Sequence, residues 1–250
     1  VWIGLPLGIA LGASKTSAPP PPGELTDLRH LSTIALAGNN ARVEWVNALC
    51  LEEGRSFESA ICRLQTDGIV TLVEDTDCLR IKIAEAFNCP LTSSMFTRPK
   101  LQALYRTLAA AMRIYRDRGA EAEARLGEVF LHAGSDSDAA RQFEIAGHLF
   151  VDRGALHAGA SYYQQAAVLF HGIGLDLQWG RSLYEAAKSL CSEGDWDVAE
   201  ELCRRIYSRF AKDDRLGVAA NICLGFGDCL LEHNERSAEK WYQIVFGNLI

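Results

Sequence analysis

Apolar positions in the C-terminal half of the chain recur every 40 residues. Three stretches, from Phe143, Leu183 and Cys223 to Phe170, Phe210 and Ile250, carry the same order of positions. A small residue falls at Gly147, Ala187 and Gly227, and a large apolar one at Phe150, Leu190 and Leu230. A turn residue follows at Gly154, Gly194 and Asn234, then Ala158, Val198 and Ala238, then Tyr162, Leu202 and Tyr242. The pattern predicts stacked helix-turn-helix repeats, because one unit of this size cannot bury its own apolar face. Gly or Asn suits the left-handed backbone of the short turn inside each repeat. Longer links are expected between repeats, at His171-Gly172-Ile173-Gly174 and Lys212-Asp213-Asp214. The repeats read as tetratricopeptide-like, with links that lengthen the usual unit of roughly 34 residues.

Upstream the pattern changes. Leu28, Leu31, Ile34 and Ala35 mark one amphipathic helix stopped by Gly38-Asn39-Asn40, and Val43, Val46, Ala48 and Leu49 mark a second. Ser56 opens a third, carrying Phe57, Ala60, Ile61 and Leu64, which Asp67-Gly68 ends. Ile69 to Val73 predicts a strand and Glu74-Asp75-Thr76-Asp77 a polar turn. Leu79, Ile81 and Ile83, alternating with Arg80 and Lys82, predict a second strand. Three helices and a hairpin in this span predict a winged helix. Beyond it, Thr97 caps and Pro99 starts a long helix to about Arg118, with Leu101, Leu104, Tyr105, Leu108, Met112 and Tyr115 on its stripe. Gly119 breaks it, and a helix from Ala120 to Ala133 ends at Gly134. Asp136 and Asp138 then suit a helix N-terminus.

The expected fold class is therefore mostly α. A winged-helix module at 24–90 and connecting helices at 91–134 lead to an α-solenoid of tetratricopeptide-like hairpins over 135–250. Residues 1–23 are an apolar, Gly-rich segment and a linker whose Pro19 to Pro22 stiffen it into a spacer. Both ends read as cut from a longer chain.

Composition narrows the function classes. With 48% apolar and 23% charged residues the chain reads as soluble and globular, and a net charge of −7 disfavours nucleic acid and anionic membranes. Between Glu24 and Pro90 eleven acidic residues face six basic ones, and the acidic turn lies where DNA phosphates would need positive charge. The eight cysteines form no C-x-x-C pair and read as reduced thiols of a cytosolic protein. The six histidines are scattered; His148 and His157 are the pair expected to approach, across a repeat turn. No nucleophile-elbow, metalloprotease or P-loop motif occurs, so neither catalysis nor a metal site is expected of this chain. Tyr162, Tyr163, Phe170, Trp179, Tyr184, Trp196, Tyr207 and Trp241 are expected mostly as interior packing, with one or two per repeat facing a partner.

The order of parts resembles a known family. Gly4-Leu5-Pro6-Leu7 resembles the G-L-P-L motif that closes the nucleotide-binding region of NB-ARC and related STAND-class signalling ATPases. In that family an acidic winged helix follows, and then a helical repeat sensor. Leu64-Gln65-Thr66-Asp67-Gly68-Ile69-Val70 resembles the family's junction between the third winged-helix helix and its first strand. Glu128-Val129-Phe130-Leu131-His132-Ala133-Gly134, with Ala139-Ala140, resembles the helix pair opening the repeats in bacterial members. The resemblance implies that Pro6 packs near the adenine of a bound nucleotide, with Gly4, Leu5 and Leu7 shaping that wall. It places the P-loop upstream of Val1, so ATP or ADP would be bound by the parent protein and this chain alone would hydrolyse nothing. It further implies a cytoplasmic regulatory and sensor fragment whose repeats bind a protein, peptide or inducer, with oligomerisation in the full-length protein and neither nucleic acid nor membrane as partner. The long helix from Pro99 would connect module and repeats, so that Asp at Leu104 or Leu108 would uncouple them. Two rival readings stay open. One is a free-standing tetratricopeptide-like adaptor without nucleotide, its apolar N-terminus a membrane or export signal. The other is a winged-helix transcription factor with a repeat-type ligand domain.

Overall fold

Left-handed glycines set the rhythm of the helical array. Gly134 (φ 76°), Gly154 (φ 79°), Gly174 (φ 76°) and Gly194 (φ 93°) recur every twenty residues in the computed structural model. At each, the next residue's N–H donates to a carbonyl five positions back: Ser135 to Phe130, Ala155 to Phe150, Leu175 to Phe170 and Asp195 to Leu190, all at 2.8–2.9 Å. The glycine N–H itself donates to Leu131, Val151, His171 or Cys191. This pair of bonds closes a helix through one left-handed residue, which glycine adopts without a Cβ penalty.

The structure describes residues 31–83, 96–213, 215–231 and 235–247. Gly4, Leu5, Pro6 and Leu7, the proline linker, Leu28, Cys89, Asp214 and Asn234 lie outside them. The array runs through α5 (Ala120–His132), α6 (Asp136–Asp152), α7 (Leu156–Gly172), α8 (Asp176–Glu193), α9 (Trp196–Lys212), α10 (Leu216–Leu231) and α11 (Glu235–Gly247). Consecutive helices pack on each other throughout. The long links expected between repeats are absent at 173–175, where the chain turns with the same bonds as at 153–155. The extra length of the unit lies in the helices instead. α6, α7 and α9 have 17 residues and α8 has 18, about 26 Å at the usual rise.

Small residues let these helices approach. Ala139, Ala140, Ala146, Ala166, Ala167, Ala186 and Ala187 are fully buried. Gly127 sits under the Phe143 ring and Gly180 under Phe210, where a Cβ would meet ring carbons at 2.7 and 2.5 Å.

Before the array, a helix over 31–37 (α1) precedes β1 (Ala41–Arg42), α2 (Val43–Glu52), α3 (Phe57–Thr66), β2 (Val70–Glu74) and β3 (Leu79–Ile83). The strands form an antiparallel sheet in the order β1-β3-β2, with Ile81 opposite both Ala41 and Leu72. The expected stop at Gly38-Asn39-Asn40 is a left-handed turn, Gly38 at φ 86° and Asn40 at φ 65°. The Asn39 side-chain oxygen accepts the Ile83 N–H at 3.0 Å, which ties the turn to the sheet. β1 is too short for an alternating pattern to reveal.

α4 (Arg98–Ile114) packs on α2 and on α5, with Leu104 and Leu108 fully buried. It ends four residues before the expected Arg118, at Ile114. One hydrophobic core runs unbroken from Leu31 through α4 to Trp241. The fold is mostly α, with a helical solenoid beside a small three-stranded module.

Two glycine substitutions separate packing from backbone entropy. Gly180→Ala must displace the fully buried Phe210 ring and should cost about 1–3 kcal/mol. Gly217→Ala meets nothing within 4 Å and should stabilise by about 0.4–1 kcal/mol. Urea midpoints of the two variants, moving in opposite directions, check the packing.

Candidate functional site

The joint between module and array is built on the link from α4 to α5, and Trp45 anchors it. α2 carries this residue beside Val46 and Leu49, and its ring is 1% exposed. A buried indole N–H needs an acceptor, and the Trp45 Nε1–H donates to the Tyr115 carbonyl at 3.0 Å. Arg42 Nη1 donates more weakly to the Tyr115 and Arg116 carbonyls, at 3.4 Å each. The link leaves its helical path where α2 holds Tyr115, which explains why α4 stops at Ile114.

Asp117 completes the clamp. Its carboxylate accepts from Arg80 on β3 in a two-pronged pair, Oδ2 to Nη1 and Oδ1 to Nη2, both at 3.0 Å. Arg42 approaches the same carboxylate at 3.4 Å. The Arg80 Nε–H donates to Asp75 Oδ2 at 2.6 Å, so one guanidinium ties the β2–β3 turn to the α4–α5 link. Hydrogen bonding to Asp117, opposed by desolvation and helped by Asp75, holds Arg80 firmly protonated. The Arg80 bond and the Thr76 amide and hydroxyl hold Asp75 below the usual carboxylate range. The basic residue most central to the expected wing is thus spent on internal carboxylates. α3 presents Arg63 as its one basic side chain beside Glu58 and Asp67.

The far side of α4 is tied to the array. Arg116 donates to the buried Glu123 through Nη2 at 2.6 Å and Nε at 3.0 Å. Arg113 bonds Asp138 at 3.0 Å and lies 4.5 Å from the centroid of the Phe130 ring. The Ser135 hydroxyl, first, and then Arg113 keep Asp138 below its ordinary value. Further along, Arg153 pairs with Glu121 at 2.9 Å, Arg209 with Asp176 at 3.2 Å, and the Ser182 hydroxyl donates to Glu144 at 2.6 Å.

His148 and His157 do not meet: His148 faces Asp152 at 3.2 Å, while His157 faces Asp195 at 2.8 Å and Glu193 at 3.8 Å. His148 finds an acid at its own helix end, and His157 finds its acids where α8 turns into α9. Among the described residues, no group of three His, Cys, Asp or Glu side chains could hold a metal ion. No described helix is long and apolar enough to cross a membrane. Of the aromatics, Tyr163, Phe170, Trp179 and Trp241 are buried, whereas Tyr162, Tyr184, Trp196 and Tyr207 are half-buried against the core. Leu104 and Leu108 are core residues, so Asp there would unfold the joint rather than uncouple it. Trp45, Arg42, Arg80 and Asp117, which make the joint, were not singled out as a set. Arg42 and Trp45 lie far in sequence from Arg80 and from Asp117, and a Trp beside an apolar stripe reads as packing.

Seven described cysteines are unbridged. Burial pushes the Cys191 thiol up to about 12 and those of Cys50 and Cys223 up to about 11. Burial, with neighbouring thiols adding to it, raises Cys203 as well. At pH 8 a maleimide should modify the exposed Cys62 well before Cys50, Cys191, Cys203 or Cys223. Peptide mass spectrometry with and without denaturant reads this directly, and labelling of Cys203 at the rate of Cys62 would refute the packing.

No family model matches the chain, and no curated protein matches it in sequence. Among solved structures it is similar to a signal transduction ATPase with numerous domains (STAND) protein with a tetratricopeptide repeat sensor, from Pyrococcus horikoshii. The superposition has a TM-score of 0.36 and 12% sequence identity. It covers 88% of this chain and 44% of that one, so the chain spans less than half of that protein's length.

Proposed function

We propose that this chain is the regulatory and sensor part of a STAND-type signal-transduction ATPase. The helix-strand-helix-helix-strand-strand module is its winged helix, which relays nucleotide state. The repeats over 135–250 bind a protein or inducer, and α5 packs on the first of them. Gly4, Leu5, Pro6 and Leu7 line the nucleotide site of the parent protein, and no catalytic residue lies in this chain. The parent works in the cytoplasm.

The observation that supports this reading most is the Asp117 clamp. A relay needs a contact that both sites can bias, and a free-standing adaptor has no use for a module bolted to its first helices. Arg80 and Asp117 hold that contact through charges that are largely but not fully covered, with side-chain exposures of 16% and 22%. Such a pair is strong enough to hold a state and weak enough to be broken by a ligand.

Two experiments test it. Sequencing the encoding gene upstream of Val1 should reveal a P-loop followed by an acidic strand. A start codon close to Val1 would leave the adaptor reading in its place. In the parent protein, Asp117→Ala should change both basal ATP turnover and partner affinity for the array, because coupling between two sites is reciprocal. Equal turnover in variant and wild type would contradict the relay.

A further inference from the structure

A cleft of about 750 Å³ opens beside the clamp, between the β2–β3 turn, the turn before β1 and the α4–α5 link. Its size is that of a small-molecule site. Most of the charges lining it are already matched. Arg42 and Arg80 are engaged by Asp117 and Asp75, Glu121 by Arg153, and Arg116 by Glu123. Among the described residues, no carboxylate stands within ion-pair distance of Arg118 or Arg125, and the unmatched acid in the cleft is Asp77. Two guanidinium groups therefore outnumber one carboxylate.

Arg125 is held by shape rather than by a counter-ion. Its guanidinium carbon lies 5.3 Å from the centroid of the buried Trp45 ring. A terminal nitrogen fills the space where a Cβ on Gly38 would stand. Glycine at 38 thus serves both a left-handed φ of 86° and the passage of this side chain. Burial lowers the Arg125 pKa, and the charges of Asp117 and Glu128 offset that only in part. A planar fork fixed against a ring is pre-organised to receive an oxyanion. Asn39 lines the same cleft. Its oxygen accepts the Asn40 and Ile83 N–H groups, which leaves its amide N–H groups as donors.

We propose that this cleft binds a small ligand bearing a phosphate or carboxylate group, received by Arg125 and Arg118 with the Asn39 amide. The module supplies Asn39, the link supplies Arg118 and α5 supplies Arg125, so the bound anion straps the joint from three sides. An effector acting there would favour the clamped state through its differential affinity for it. The inference goes beyond the relay reading, which requires no small ligand at this place.

Titration calorimetry of the chain at low ionic strength, with inorganic pyrophosphate and separately with citrate, tests the site. Saturable binding of at least one probe is expected, and the probe that binds identifies the anion as phosphate or carboxylate. Arg125→Met, which keeps an unbranched side chain but removes the guanidinium, should weaken it about tenfold or more. Arg118→Met should weaken it in the same direction. Because Arg118 is exposed, that variant decides the question if Arg125→Met fails to fold by circular dichroism. No saturable heat with either probe, or an affinity unchanged in the variants, overturns the proposal. Either failure leaves the relay reading standing, since that reading is measured as ATP turnover in the parent.

Discussion

The captured link after α4 is the polar constraint that joins the two halves of this molecule, beside the apolar packing of α4 on α2 and α5. An indole N–H that would otherwise be buried without a partner takes the Tyr115 carbonyl, and the helix stops there. An orphaned indole N–H would cost about 1–3 kcal/mol, and this one bond removes that cost and bends the chain. The bend then delivers Asp117 to Arg80 and Arg42, and it sets the angle at which α5 starts. With that angle fixed, the array follows from its own rhythm.

That rhythm is simpler than the 40-residue repeat suggests. Phe130, Phe150, Phe170, Leu190 and Phe210 all present the carbonyl that closes a helix, at intervals of twenty residues. The 40-residue repeat is two such units. Left-handed glycines stand at four of these turns. Among the described residues, long helices joined by turns of two or three residues account for the array from α5 to α9 without the longer link expected at 171–174.

Much of this was legible in the residues. The hairpin of β2 and β3, the third helix between Ser56 and Asp67, the turn glycines and the buried small positions follow directly from apolar spacing and turn chemistry. What the pattern could not reveal is the joint. β1 is two residues long, which is too short for alternation to register. Arg42, Arg80 and Asp117 each look like solvated charges on their own, and only tertiary structure brings them together. Trp45 lies one position from an apolar residue of α2 and reads as ordinary packing, yet its polar tip decides where α4 ends. The candidate site is thus made of long-range polar contacts, which leave no periodic trace.

The central claim is that module and array form one cooperative body because α4 is buried on both sides and its end is clamped. Native-state hydrogen exchange, followed as a function of denaturant, measures this directly. Core amides of α2, such as Leu49, and of α5, such as Phe130, should merge into one unfolding isotherm with a common free energy and slope. If the α2 amides exchange through a separate opening at markedly lower free energy, the joint is not rigid. The account of a clamped relay then fails.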